Sequence, residues 1–148
     1  MSGGGVIIDD HLLLQVLLGN EPTLLRPSGA AIATTGLWYH RLCRALADRS
    51  ITGSMSRSLG QVDSRIASAA VRAVIELPDT IGLVSLRSLG WPMASLIADG
   101  IRLNLLSLEA LAAAEMLDAE ICLAEADKNP TLLEAAERRG VSVRLVAI

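Results

Sequence analysis

The sequence lacks the features that mark several common classes of protein. Its 148 residues include only two cysteines, Cys43 and Cys122, which have no metal-ligand spacing and stand among apolar neighbours. This usage favours buried thiols in a reducing compartment over a disulfide. No apolar run approaches the ~18 residues that a membrane-spanning helix needs, and the first residues lack the basic segment of a secretion signal. We therefore expect a cytoplasmic protein with no membrane association.

Motifs for phosphate binding and for nucleophilic catalysis are also missing. The glycines of residues 2–5 precede the first predicted strand, whereas a phosphate-binding loop follows a strand and opens a helix. Only two histidines are present, His11 and His40, and neither accompanies a nucleophile in a strand–turn–helix elbow. The formal net charge of −3 argues against a protein that coats nucleic acid, although Arg41 and Arg44 could contact phosphate groups locally.

The apolar content of 51% supports a proper core, and its pattern predicts the fold class. Strands that read as continuous apolar runs, alternating with helical segments, indicate a parallel sheet covered on both faces. We predict a single three-layer α/β/α domain over residues 1–148, with a central parallel sheet of four or five strands. Strands are predicted at 6–8, 81–86, 120–124 and 141–146, with a fifth candidate at 30–33. Helices are predicted at 12–18, 36–48, 62–76, 91–99, 108–117 and 131–139, and a loop at 50–60.

Acidic residues mark the carboxyl ends of two predicted strands. Asp9 ends the first strand, and Glu125 and Asp127 follow a strand late in the chain. In a parallel sheet these ends share one edge, where ligands collect, so we expect the carboxylates to approach one another. Clustered carboxylates bind Mg²⁺ or Mn²⁺ and orient a water for phosphodiester hydrolysis, and a solvated acidic rim is an equal alternative. Asp10 and Glu109 stand in first turns of helices, where the helix dipole explains them.

Several segments resemble PIN domains. Residues 6–14, VIIDDHLLL, look like the opening of that family, which has a hydrophobic strand, an Asp and a leucine-rich helix. Residues 108–119, 120–127 and 132–141 are similar to its acid-bearing alanine-rich helix, to the strand before its fourth acid, and to its final helix and strand. PIN domains are typically Mg²⁺- or Mn²⁺-dependent ribonucleases, many of them toxins of toxin–antitoxin pairs, and commonly dimers.

The resemblance implies positions for the acids of that family's metal site. The first acid falls on Asp9. The second falls within residues 38–46, which contain no acid, and His40 is nearest to its position. One acid of the expected site is therefore missing.

The third and fourth acids fall on the second half of the chain. Ser107 stands close to the third position, with Glu109 two residues on. The fourth falls on Glu125, or on Asp127 if the turn is shifted. The candidate catalytic residues are accordingly Asp9, Glu109 and Glu125. With Asp127 added, the same residues are the candidate ligands of Mg²⁺ or Mn²⁺.

Two functions follow as hypotheses. In the first, a PIN-like domain with an incomplete acidic metal site acts as a partner-binding or regulatory module, or as a weak ribonuclease. The missing acid, the negative charge and the leucine- and alanine-rich helices, which leave apolar surface for another subunit, favour it. In the second, the chain is an active metal-dependent endoribonuclease of toxin–antitoxin type, with Arg41, Arg44 or Arg57 on RNA phosphates and an antitoxin as partner. An unrelated small α/β enzyme is a third possibility.

Overall fold

The computed structural model describes residues 4–26, 29–48 and 60–148, which form six α-helices around a five-stranded sheet. The strands are β1 (Val6–Ile8), β2 (Ile32–Thr35), β3 (Ile81–Val84), β4 (Glu120–Ala124) and β5 (Val143–Val146). The helices are α1 (Asp10–Leu17), α2 (Gly36–Ala47), α3 (Ser64–Ile75), α4 (Leu86–Ala98), α5 (Leu105–Leu117) and α6 (Pro130–Arg139). A short 3₁₀ turn, Glu125–Asp127, joins β4 to α6.

The five strands are all parallel and run in the order β3-β2-β1-β4-β5. The first strand of the chain is therefore the central one. In the register of the sheet, Ile7 stands beside Ala33 of β2 on one side and Ile121 of β4 on the other. The predicted parallel sheet is confirmed, and the carboxyl end of β1 lies in the middle of one edge.

Helices cover both faces of the sheet, because successive side chains of a strand point to opposite faces. Ile7 belongs to a core with Leu89, Leu111 and Leu132 of α4, α5 and α6. Ile8, on the other face, belongs to a second core formed with α1, α2 and α3. The continuous apolar run of β1 is thus explained by burial on both faces, and the predicted three-layer α/β/α architecture is confirmed.

Polar residues at the ends of the strands start several of the helices. Asp9 and Ser85 directly follow β1 and β3, and Thr35 is the last residue of β2. Each of these side chains accepts a hydrogen bond from a backbone N–H in the first turn of the next helix. Asn104 and Asn129 do the same for α5 and α6. These oxygens satisfy N–H groups that have no partner within the helix. As a result, the positive ends of α1, α2 and α4 point to the edge that contains Asp9.

The predicted bounds of β2 and α4 are wrong. The second strand lies at Ile32–Thr35 instead of 30–33, because the Thr34 hydroxyl donates to the Ile8 carbonyl at 2.8 Å and holds the polar end of β2 inside the sheet. Helix α4 begins at Leu86 instead of residue 91, so that Pro92 is internal. Pro92 has no backbone N–H to donate to the carbonyl of Ser88, one turn earlier in the helix. Ser88 is exposed, so water can take the place of that donor.

Boundaries in the second half also differ. Helix α5 begins at Leu105 instead of 108, because the Asn104 side chain accepts from the Ser107 N–H at 2.8 Å. Strand β5 begins at Val143 instead of 141, because Val141 still bonds back to the end of α6. Most of the predicted loop at 50–60 lies outside the described residues.

The two cysteines agree in part with the predicted buried thiols. Both cysteines are free thiols, but only Cys122 is fully buried, and Cys43 is half-buried. None of the helices in the described ranges is long and apolar enough to cross a membrane.

Candidate functional site

A cleft of about 280 Å³ opens at the carboxyl edge of the sheet, beside the end of β1. It is bounded by the start of α2, the start of α5 and the turn after β4. The polar residues of its lining are Asp9, Arg41, Ser107, Asp127, Lys128 and Asn129. The cleft therefore contains two of the four predicted acids, together with two cations.

Asp9 is almost fully buried, with 1% of its surface exposed, and its carboxylate already has two backbone donors. One oxygen accepts from the Leu12 N–H at 2.9 Å, at the start of α1. The other accepts from the Ala124 N–H at 3.0 Å, at the end of β4. Burial raises the pKa of Asp9 from 3.8 to about 6, against the lowering effect of these hydrogen bonds. Asp9 thus joins two elements of the fold as well as facing the cleft.

Asp10 forms a two-point ion pair at this edge. Its buried carboxylate binds the guanidinium of Arg41 through both oxygens, with Nε donating to Oδ2 and Nη2 to Oδ1 at 2.8 Å. Such a two-point pair is stronger and more directional than a single contact. The hydrogen bond to Asp10 is the main factor that raises the pKa of Arg41, and the charges of Asp9 and Asp127 add to it. From the sequence, the dipole of α1 alone explained Asp10. The structure shows that Asp10 also binds α2 through Arg41.

His11 and Asp127 form the next contact along the edge. His11 Nδ1 lies 3.2 Å from the Asp127 Oδ2, and the imidazole is buried while the carboxylate is partly exposed. The contact ties the start of α1 to the turn after β4. His40, the other histidine, is exposed on α2.

Glu109 faces another helix. Its buried carboxylate accepts from the Leu37 N–H at 2.9 Å, in the first turn of α2. The expectation that Glu109 complements the dipole of its own helix is wrong, because α5 begins four residues before it, at Leu105. Its charge instead stabilises the positive end of α2.

Ser107 and Glu125, the other positions suggested for acids, have different surroundings. The Ser107 hydroxyl accepts from the Asn129 side-chain amide at 2.9 Å and lies in the cleft. Glu125 is exposed at the start of the 3₁₀ turn and does not line the cleft. Of the four candidate metal ligands, the fold therefore brings Asp9 and Asp127 to the cleft and directs Glu109 and Glu125 elsewhere.

The residues of the edge do not form a ready metal site. Within the ranges 4–26, 29–48 and 60–148, no group of three or more His, Cys, Asp or Glu side chains is arranged to hold an ion. Mg²⁺ takes oxygen ligands in near-ideal octahedral geometry. Here the oxygens of Asp9 and Asp10 accept from backbone and guanidinium donors. The predicted ligand set does not fit Mg²⁺ or Mn²⁺ in this arrangement.

The arginines that were candidates for RNA phosphates divide into three cases. Arg41 is paired with Asp10, Arg44 is exposed near the end of α2, and Arg57 lies outside the described residues. The pairing of Arg41 with Asp10 was missed from sequence because the two residues are 31 positions apart and no short motif connects them.

A larger cavity, of about 750 Å³, lies at the opposite edge of the sheet, far from the acidic residues discussed above. Arg139 stands in its wall and pairs with Glu115 and Asp99. Size alone therefore does not mark the candidate site, which we assign to the smaller cleft because the buried polar groups converge there.

No protein-family model and no curated protein matches this chain. The similarity to PIN domains therefore rests on the short segments of the sequence alone and stays a prediction.

Proposed function

We propose that this chain is a PIN-like domain that acts as a protein-binding or regulatory module and not by metal-dependent RNA cleavage. The observation that carries the proposal is the internal pairing of the acidic edge. Asp9 accepts from Leu12 and Ala124, and Asp10 is bound by Arg41. These donors already offset part of the carboxylate charge, and the guanidinium of Arg41 competes directly with an ion for both oxygens of Asp10, so the pairing opposes metal binding.

The kind of partner is suggested by helix α4. Leu89, Met93 and Leu96 face the core, whereas three other large apolar residues of α4 are exposed: Trp91 on the side opposite the core, and Leu86 and Ile97 together on a flank of the helix. Leu86, Trp91 and Ile97 are 54%, 82% and 52% exposed. Exposed aromatic and aliphatic side chains of this kind are typical anchors of protein interfaces. We propose that a protein, a second copy of this chain in the simplest case, covers the side of α4 that carries Trp91.

An active endoribonuclease of toxin–antitoxin type is the second candidate. It is favoured by one observation, the presence of Asp9 and Asp127 together in a cleft that also contains Arg41 and Lys128. In this case Mg²⁺ or Mn²⁺ would supply a Lewis acid and a bound water. RNA phosphates would contact Arg41 and Lys128, and an antitoxin would bind the side of α4 that carries Trp91.

Metal binding and RNA cleavage separate the two candidates. We expect calorimetric titration of the wild type with Mn²⁺ to show no binding in the millimolar range, and RNA incubated with the protein to give the same products with and without EDTA. Asp9→Asn tests the cleft, and Asp63→Asn, an exposed helix cap on α3, is the matched control. Mn²⁺ binding and EDTA-sensitive cleavage by the wild type, both lost in Asp9→Asn only, would show that the chain is a nuclease.

The association of copies has its own test. Sedimentation of the wild type is expected to show a concentration-dependent dimer, and Trp91→Ser is expected to weaken it by about tenfold or more, as for an interface anchor. Trp91 is 82% exposed, so the change should leave the fold intact. A monomer at all concentrations would contradict self-association and leave a different protein as partner. A cytoplasmic location, which the two free thiols favour, is part of this proposal.

A further inference from the structure

Arg41 brings a fixed positive charge to an edge where carboxylates dominate. Its guanidinium lies on Asp10, which is 1% exposed, while the Arg41 side chain itself is 47% exposed. Arg41 also lines the cleft together with Asp9 and Asp127. Arg41 therefore stands beside three acids, which follow β1, begin α1 and lie in the turn after β4, and Lys128 is the second cation of the cleft.

Arg41 binds Asp10 directly and lines the same cleft as Asp9 and Asp127. The hydrogen bond to Asp10 is the main factor that raises the pKa of Arg41, and the charges of Asp10, Asp9 and Asp127 add to it. Burial is the largest cause of the raised pKa of Asp9, and the charges of Asp10 and Asp127 raise it further. A cation placed beside clustered carboxylates reduces the repulsion among them.

We infer that the Arg41 guanidinium is the built-in counter-ion of this acidic edge and occupies the electrostatic role that a divalent cation would otherwise have. The inference rests on the proposed function in one respect, that the edge works without a metal. It goes beyond that proposal by naming the residue that excludes the ion. Arg41 is a positioning residue here, since it acts through the carboxylates.

The same ion pair would form if Arg41 only linked α1 to α2. The two roles differ in how the protein responds when Arg41 is removed. If Arg41 only joins two helices, its loss destabilises the protein and no ion restores it. If Arg41 is a counter-ion, its loss leaves carboxylates that attract a small cation, and the cation restores stability by binding the folded state. The response to Mn²⁺ therefore distinguishes the two roles.

The test compares Arg41→Gln with the wild type and with Arg44→Gln, an exposed arginine one turn further along α2. Melting temperatures are measured in EDTA and in a Mn²⁺ series, and Mn²⁺ binding is measured by calorimetry. In EDTA we expect only Arg41→Gln to melt well below the wild type, because buried Asp10 loses its partner. Mn²⁺ should then raise the melting temperature of Arg41→Gln alone, with at least about fivefold tighter binding than in the wild type, as one unit charge at contact distance requires even in water.

A second variant, Arg41→Lys, keeps the charge and removes the two-point geometry. It should remain insensitive to Mn²⁺. The inference is overturned if Mn²⁺ raises the melting temperature of Arg41→Gln no more than that of the wild type, if Arg41→Lys responds to Mn²⁺ as Arg41→Gln does, or if Arg41→Gln fails to fold even with Mn²⁺ present. Binding by the wild type tests the proposed function, whereas the difference between Arg41→Gln and the wild type tests this inference.

Discussion

The raised pKa of Asp9 predicts an unusual dependence of stability on pH. The pKa moves from 3.8 to about 6 because the carboxyl group is buried. A carboxyl group with a raised pKa binds its proton more tightly in the folded state, so its contribution to stability is complete below pH 3.8 and is lost as the pH rises through 6. A shift of this size corresponds to about 3 kcal/mol in the free energy of unfolding.

Asp9→Asn removes the titration and keeps the shape. Its amide oxygen can still accept from Leu12, but its NH₂ group faces the Ala124 N–H, and this unpaired donor costs about 1–3 kcal/mol at every pH. We therefore expect Asp9→Asn to be clearly less stable than the wild type near pH 4. The difference should shrink, by up to about 3 kcal/mol, as the pH rises to 7.5 and the wild type loses the contribution of protonated Asp9.

Urea unfolding at several pH values from 4 to 7.5, in EDTA, measures this difference directly. EDTA is needed because a bound cation would favour ionised Asp9 and hide the effect. Asp63→Asn is the control, since Asp63 also starts a helix, by accepting from the Arg65 N–H, but is exposed. A stability difference between Asp9→Asn and the wild type that stays constant from pH 4 to 7.5 would refute the reasoning, and so would one that grows with pH.

Two further predictions concern contacts away from Asp9. Glu109→Gln keeps an acceptor for the Leu37 N–H but removes the charge at the start of α2, so urea unfolding should show a loss of about 1–2 kcal/mol, and an unchanged midpoint would contradict the contact. Gly5→Ala should lower the midpoint of thermal unfolding strongly, because its Cβ would lie 2.7 Å from the Ala31 carbonyl oxygen. Gly90→Ala, within α4 and in open space, is the matched control and should raise the stability by roughly 0.5–1 kcal/mol; equal effects of the two changes would be inconsistent with this packing.

The sheet could be predicted because its signals are local. The β-branched run of β1 indicates burial on both faces, and Asp10 and the pair Thr34 and Thr35 indicate where α1 and α2 begin. The wrong boundaries are those that contacts between distant residues or an unrecognised cap determine. Thr34 belongs to β2 because its hydroxyl reaches the Ile8 carbonyl, and no feature of residues 30–35 shows this. Pro92, read as a helix start, is internal because Ser85 already provides the cap.

The candidate site was predictable in position but not in its partners. Asp9 could be placed because a residue after a central parallel strand must lie at the carboxyl edge. Glu109 is held by Leu37, 72 residues away, and Asp10 by Arg41, 31 residues away. Such pairs depend on how α2 and α5 approach the sheet, and spacing along the chain does not encode that approach.

The position of β1 also has a consequence for the order in which the chain can fold. Asp9 bonds to Ala124, 115 residues later, and β1 pairs with β4 along its whole length. During synthesis, β1 can therefore pair with β2 on one side, but its other side has no partner strand until the last quarter of the chain is made. We expect slow folding, as is typical of contacts between distant segments. Until β4 is synthesised, the backbone N–H and C=O groups on that side of β1 have no strand to pair with and are open to pairing with another chain.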